Sequence, residues 1–290
     1  MFGRRRETVN LNTLERSTIG APRAGSPEAS PEAMPALLRA ASARLPWRTR
    51  IGFWCVPPRC IACGGEGEVG AVDLCAACLA AWPHRLPNAS VAPPALRGAQ
   101  WLVAFDYLEP VAGALRALKF DGDLRCARVL GALLAMRSLG HDVVRPDAIV
   151  PVALHATRLR ERGYDQAALI AQHVGSWLQI PVRHWLRRTR LTAPQTELDA
   201  VSRRDNLNNA FAADTAEMRE FFVVDADPQN RALTIAVLDD VLTTGATLAA
   251  ARDALHAAAS VAGVPLELQF WAVAATTKSS AMPTNTSNPT

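Results

Sequence analysis

A run of six residues, Leu233-Thr-Ile-Ala-Val-Leu238, leads straight into two aspartates, Asp239-Asp240. Two more apolar residues follow, then the turn Thr243-Thr244-Gly245-Ala246-Thr247 and an Ala-rich stretch. A continuous apolar run of this length, without polar alternation, reads as a strand covered on both faces, the habit of strands in parallel sheets. Parallel strands need crossovers, and the rest of the chain supplies them. Strands are expected at Trp101–Phe105, Ala148–Val152, Phe221–Val224, Leu233–Leu238 and Leu266–Ala275. Helices are expected at Val111–Phe120, Leu124–Leu139, Asp165–Leu178 and Ala246–Ala259, with Asp165 as the N-cap of the third. Alternating short apolar strands and helices predict an α/β fold, an open parallel sheet with helices on both faces.

In such sheets ligands bind beyond the carboxyl ends of the strands. The acid pair and the Thr/Gly turn fall at that edge. The turn offers successive backbone N–H groups and a helix N-terminus, together suited to a phosphate. Thr243, Thr244 and Thr247 add hydroxyls, and Gly245 lets the backbone approach closely. Asp239 and Asp240 stand about one sugar length away, placed to accept hydrogen bonds from vicinal hydroxyls. No Lys follows the glycine, so this is not a Walker A loop. There is no G-x-G-x-x-G, so a dinucleotide site is not supported.

A second cluster lies upstream. Cys60-Ile-Ala-Cys63 and Cys75-Ala-Ala-Cys78 are two C-x2-C pairs separated by eleven residues. Each pair gives a metal two thiolates from one tight turn, and Gly64-Gly65 suits the turn after the first. Four thiolates with no open position predict structural zinc. Two disulfides or a redox pair are the rival readings. An expected cytoplasmic location weighs against the first, and the doubled motif weighs against the second. Cys55 lies outside the pairs, and Cys126 reads as a small core residue.

Charge is uneven. The net charge is +4, but residues 1–50 hold nine Arg and four Glu, so the remainder is close to neutral and not a globally basic nucleic-acid binder. Residues 151–210 nevertheless carry nine Arg against five acids. Arg158 and Arg162 follow the Ala148–Val152 strand at i,i+4 spacing, where two guanidinium groups can receive an anion. Lys119, beside Asp121 and Asp123, is a further candidate for neutralising a pyrophosphate. His155, His173 and His184 lack metal spacing and read as ordinary residues. No apolar stretch reaches the length of a membrane span, and no apolar segment follows the first charges as in a secretory signal. The expected organisation is a disordered basic extension at 1–46, a four-cysteine module at 47–90, the sheet domain at 91–277 and a disordered tail at 278–290.

The acid pair with its turn resembles the 5-phosphoribosyl-1-pyrophosphate (PRPP) motif of type I phosphoribosyltransferases. The stretch from Pro151 to Gln166 resembles the signature of the ComF family of bacterial competence proteins, relatives of those enzymes. Leu118-Lys119-Phe120-Asp121-Gly122-Asp123 is similar to a second element of that family. Arg188-Thr189 with Gln195 and Leu198, then Arg204-x-Asn206 with Ala210-Phe211, is similar to a third. The paired C-x2-C motifs match its N-terminal zinc module. The resemblance spans about residues 55–275. One departure is Tyr164-Asp165, where the family more often has Phe-Asn.

The resemblance implies a type I phosphoribosyltransferase-like sheet behind a four-cysteine zinc module. It implies Asp239 and Asp240 on the ribose 2′- and 3′-hydroxyls, Thr243 through Thr247 on the 5′-phosphate, and Lys119, Arg158 and Arg162 on the pyrophosphate side with Mg²⁺. The role it implies is help with DNA uptake or processing in natural transformation, with single-stranded DNA and the competence and helicase machinery as partners. Two alternatives stay open: an active phosphoribosyltransferase using a small base or amine, and a zinc-containing single-stranded DNA-binding accessory protein.

Overall fold

The computed structural model describes residues 59–67, 72–82, 93–139, 143–189, 210–224 and 232–276. The expected disordered ends, Cys55 and the stretch 195–206 lie outside them. The elements in chain order are α1 (Ala76–Ala80), β1 (Gln100–Asp106), α2 (Val111–Arg116), α3 (Arg125–Leu139), β2 (Ala148–Pro151), α4 (Ala156–Arg162), α5 (Gln166–Leu178), β3 (Leu186–Arg188), β4 (Phe211–Ala213), α6 (Thr215–Val224), β5 (Leu233–Leu242), α7 (Ala246–Ala262) and β6 (Leu266–Ala275). A π-helical turn, Ala117–Asp121, extends α2.

Four strands form one sheet in the order β1-β6-β5-β2, and every pairing in it is parallel. Successive side chains on a strand point to opposite faces, so the apolar runs feed two cores. Leu102, Ile149, Ala236, Leu238, Trp271 and Val273 meet α3 and α5 on one face. Val103, Val150, Ile235, Val237, Phe270 and Ala272 meet α7 and α6 on the other. The α/β architecture and the parallel sheet expected from the sequence are therefore present. Close packing of α3 on α5 depends on Gly131, where an added Cβ would lie 2.6 Å from the Cβ of His173.

Two local expectations are corrected. Phe221–Val224 is not a strand but the end of α6. Met218 and Phe221, three residues apart, are both buried, and the Phe221 ring meets Trp185 edge-on at 5.4 Å. The helix is started by Asp214, whose Oδ1 accepts from the N–H groups of Ala216 and Glu217, each at 3.0 Å. The second correction is that β5 does not stop at Leu238. It runs through the acid pair to Leu242 because Asp239 and Val241 stay in register with Ala272 and Ala274 of β6.

The cysteine segment packs on the sheet core. Leu74, Leu79 and Trp82 are buried with residues of β1 and α3, and the Trp82 ring meets Phe105 edge-on at 5.5 Å. Buried Asp73 is bound by the guanidinium of Arg128 on α3.

Candidate functional site

Strand alternation sends the two aspartates to opposite faces of the sheet. Asp240 joins the face of Ala236 and Leu238 and is 8% exposed. There it meets Lys119 Nζ at 2.7 Å, itself 23% exposed. A carboxylate this buried requires a countercharge, and the π-helical turn delivers it. Lys119 is thus placed on an acid of the pair and is not an exposed helix-end lysine. Asp239 falls on the other face, half-buried, and its Oδ1 accepts the Asp240 N–H at 2.8 Å. Burial, and then the Asp240 charge, push Asp239 up to about 7, while Lys119 and Arg188 oppose that rise.

The turn beyond β5 is held by geometry only glycine satisfies easily. Gly245 has φ +77°, and a Cβ there would lie 3.2 Å from Leu96 Cγ and from Pro93 Cβ. Thr244 Oγ1 accepts the Ala246 N–H at 3.4 Å, and the Thr276 N–H on Leu242 O, at 3.0 Å, ties the turn to the end of β6. Helix α7 starts here, so its positive end lies at the carboxyl edge, beside Thr243 through Thr247.

The exit of β2 forms the neighbouring wall. His155 Nδ1 accepts the Thr157 N–H at 3.2 Å and caps α4, which makes His155 a structural cap in the site wall, a role its spacing did not suggest. Arg158 and Arg162 both lie on α4, one turn apart as expected. Asp165 caps α5 through the Ala168 N–H at 3.1 Å and also accepts the Leu154 N–H at 2.6 Å, clamping the loop after β2 to α5. Burial raises its pKa although these N–H groups favour the anion. The carboxylate at this departure from the family pattern is therefore occupied by backbone.

The structure divides the three basic candidates. Lys119 belongs to Asp240. Arg162 lies over the Phe120 ring, 5.7 Å from its centroid, and bonds Gln166 Oε1. Arg158 lies where its charge is felt by Arg188, as is that of Asp239. Arg188, named in the sequence only within a family element and not among the site residues, adds a further cation whose charge reaches Asp239. It comes from the three-residue strand β3 and stacks 5.3 Å over Phe211 of β4. Strands that short carry no periodic signal.

In the segment that packs on β1 and α3, the Sγ atoms of Cys60, Cys63, Cys75 and Cys78 all lie within 4.8 Å of one another. Gly64 takes φ +73° in the turn of the first pair, and Cys75 caps α1, its sulfur accepting the Cys78 N–H at 3.5 Å. Burial resists ionisation of Cys60, but the surrounding N–H groups of Cys75, Cys63 and Ala62 hold it at about 6. Hydrogen bonding to Cys75, then burial, pushes Cys78 up to about 12. Four sulfurs that cannot all ionise without a cation, gathered this closely, can hold a metal ion such as zinc. Cys126 is buried, its thiol pushed up to about 12 by that burial, as expected of a core residue.

Among the described residues no helix is long and apolar enough to cross a membrane. No family model matches the chain. Over 211 residues the chain is 31% identical to Competence protein F of Haemophilus influenzae, covering 66% of this chain and 87% of that protein. It is 34% identical over 154 residues to the DNA utilization protein YhgH of Escherichia coli K12, covering 50% of this chain and 60% of that protein. The YhgH protein of Salmonella typhimurium is 33% identical over the same length. With most of a competence protein aligned at this identity, and with the acid pair, the turn and the cysteine cluster in place, the chain belongs to the ComF family.

Proposed function

We propose that this protein binds PRPP at the carboxyl edge of its sheet and assists DNA uptake or processing during natural transformation. The observation that carries the ligand is the acid pair at the end of β5, followed by a left-handed Gly245 turn at the N-terminus of α7. The names of the relatives, competence protein and DNA utilization protein, support the DNA role. In this reading Asp239 and Asp240 accept the ribose hydroxyls, and Thr243, Thr244, Gly245, Ala246 and Thr247 receive the 5′-phosphate. Lys119, from its place on Asp240, and Arg158 serve the pyrophosphate side, with Mg²⁺ entering alongside that group, while Arg162 is held against Phe120 and Gln166. Cys60, Cys63, Cys75 and Cys78 hold structural zinc.

A second reading is phosphoribosyl transfer to a base or amine. Asp239, held near 7, favours it, since such a carboxylate can take up a proton near neutral pH. Calorimetry of PRPP with Mg²⁺ tests the ligand. The parent should bind, and Asp240→Asn should bind at least tenfold more weakly, because a charged acceptor is worth ~1.5–3 kcal/mol. Equal affinity in the two proteins would refute the ribose assignment. Pyrophosphate release on adding candidate acceptors would establish transfer.

A further inference from the structure

Phe120 is 74% exposed although it lies between anchored neighbours. Leu118 is buried and its carbonyl accepts the Tyr164 hydroxyl. Lys119 is tied to Asp240 at 2.7 Å. The π-helical turn then ends at Gly122, with φ +71°. The ring is therefore held out from a fixed turn and does not belong to a frayed end. One side of it is covered by the Arg162 guanidinium, 5.7 Å from its centroid, and Arg162 is itself steadied by Gln166. Exposed Leu159 lies one turn before Arg162 on α4, and exposed Leu124 follows the turn itself. An exposed aromatic backed by a guanidinium suits a flat, polarisable ring.

We infer that Phe120, backed by Arg162, is a stacking platform for the nucleobase of a nucleoside 5′-monophosphate. This rests on the phosphoribosyl reading of the same site. The occupant follows from position. Phe120 adjoins Lys119, whose Nζ touches Asp240, and Asp240 is the acid assigned to the ribose. A base joined to that ribose would extend from the acid that Lys119, the chain neighbour of Phe120, touches. A nucleoside monophosphate then uses the Thr turn, the acid pair and the ring together, and it competes with PRPP.

The test is calorimetry on the zinc-loaded full chain with three probes: ribose 5-phosphate, AMP and a short oligothymidylate. Ribose 5-phosphate carries the phosphate and sugar without a base. AMP should bind the parent about five- to a hundredfold more tightly than ribose 5-phosphate, the range expected for stacking one base. Phe120→Ala should erase that advantage while ribose 5-phosphate affinity holds, and Phe120→Trp should keep it. Because the ring is exposed, the Ala variant should melt like the parent. No AMP advantage in the parent, or an advantage that survives Phe120→Ala, overturns the platform. Equal weakening of both small probes overturns it too, by showing a structural role. If ribose 5-phosphate and AMP both fail to bind the parent, the phosphoribosyl reading fails and the platform falls with it. If only oligothymidylate weakens in Phe120→Ala, the ring serves a polynucleotide and the proposal is wrong.

Discussion

Asp239 should cost the ligand-free protein stability above neutral pH, and Asp239→Asn should recover it. The group's ordinary value, 3.8, is raised to about 7 by burial and by Asp240. Between those values the folded chain keeps a proton that the unfolded chain has lost. Stability therefore falls as pH rises through this window, and the loss is complete above about 7. At ~1.4 kcal/mol per unit, about three units set a ceiling of about 4 kcal/mol. Asp239 is only half-buried and the Lys119 and Arg188 charges oppose the rise, so relaxation and screening should bring the realised effect to about 1–2 kcal/mol. Asn cannot ionise, and its Oδ1 can still accept the Asp240 N–H now held at 2.8 Å. Urea melts at pH 8 should show Asp239→Asn more stable than the parent by about 1–2 kcal/mol, with the difference at least halved at pH 4, close to the unfolded value. A variant no more stable than the parent at pH 8, or a gain identical at both pH values, would refute the reasoning. The same variant should bind PRPP poorly, which would make Asp239 a residue kept at the expense of stability.

Metal removal should act on the whole molecule. Leu74, Leu79, Trp82 and Asp73 belong to the sheet core or bind it, so chelation should lower a single melting transition by at least about 3 kcal/mol. A separate transition confined to the cysteine segment, or an unchanged melt, would contradict this. Gly245→Ala should cost about 1–2 kcal/mol, since it combines a left-handed φ with a Cβ 3.2 Å from Leu96 and Pro93. It should also weaken PRPP, as urea melts and calorimetry would show, and a neutral substitution would mean that the turn is free to rearrange.

The parts of this protein legible in the sequence are those set by neighbours along the chain. The run from Leu233 shows a doubly buried strand because every side chain must be apolar when both faces are covered. Asp165 reads as an N-cap because a short acceptor ahead of an apolar periodic stretch satisfies helix N–H groups locally. The four cysteines read as a metal site because C-x2-C spacing alone brings two sulfurs together. Phe221–Val224 misled because four apolar residues fit a strand or a helix turn equally. The arbitrating signal, Asp214 followed three residues later by Glu217, lies outside the apolar run.

Which charge meets which was decided only by the tertiary structure. Lys119 finds Asp240 and Arg128 finds Asp73 because the order β1-β6-β5-β2 brings the strand exits and their following segments to one edge and packs α3 beneath the cysteine turns. Spacing along the chain constrains contacts within a strand or a helix turn. It is silent on which distant segments become neighbours. A buried carboxylate needs a cation, and the fold determines which one arrives.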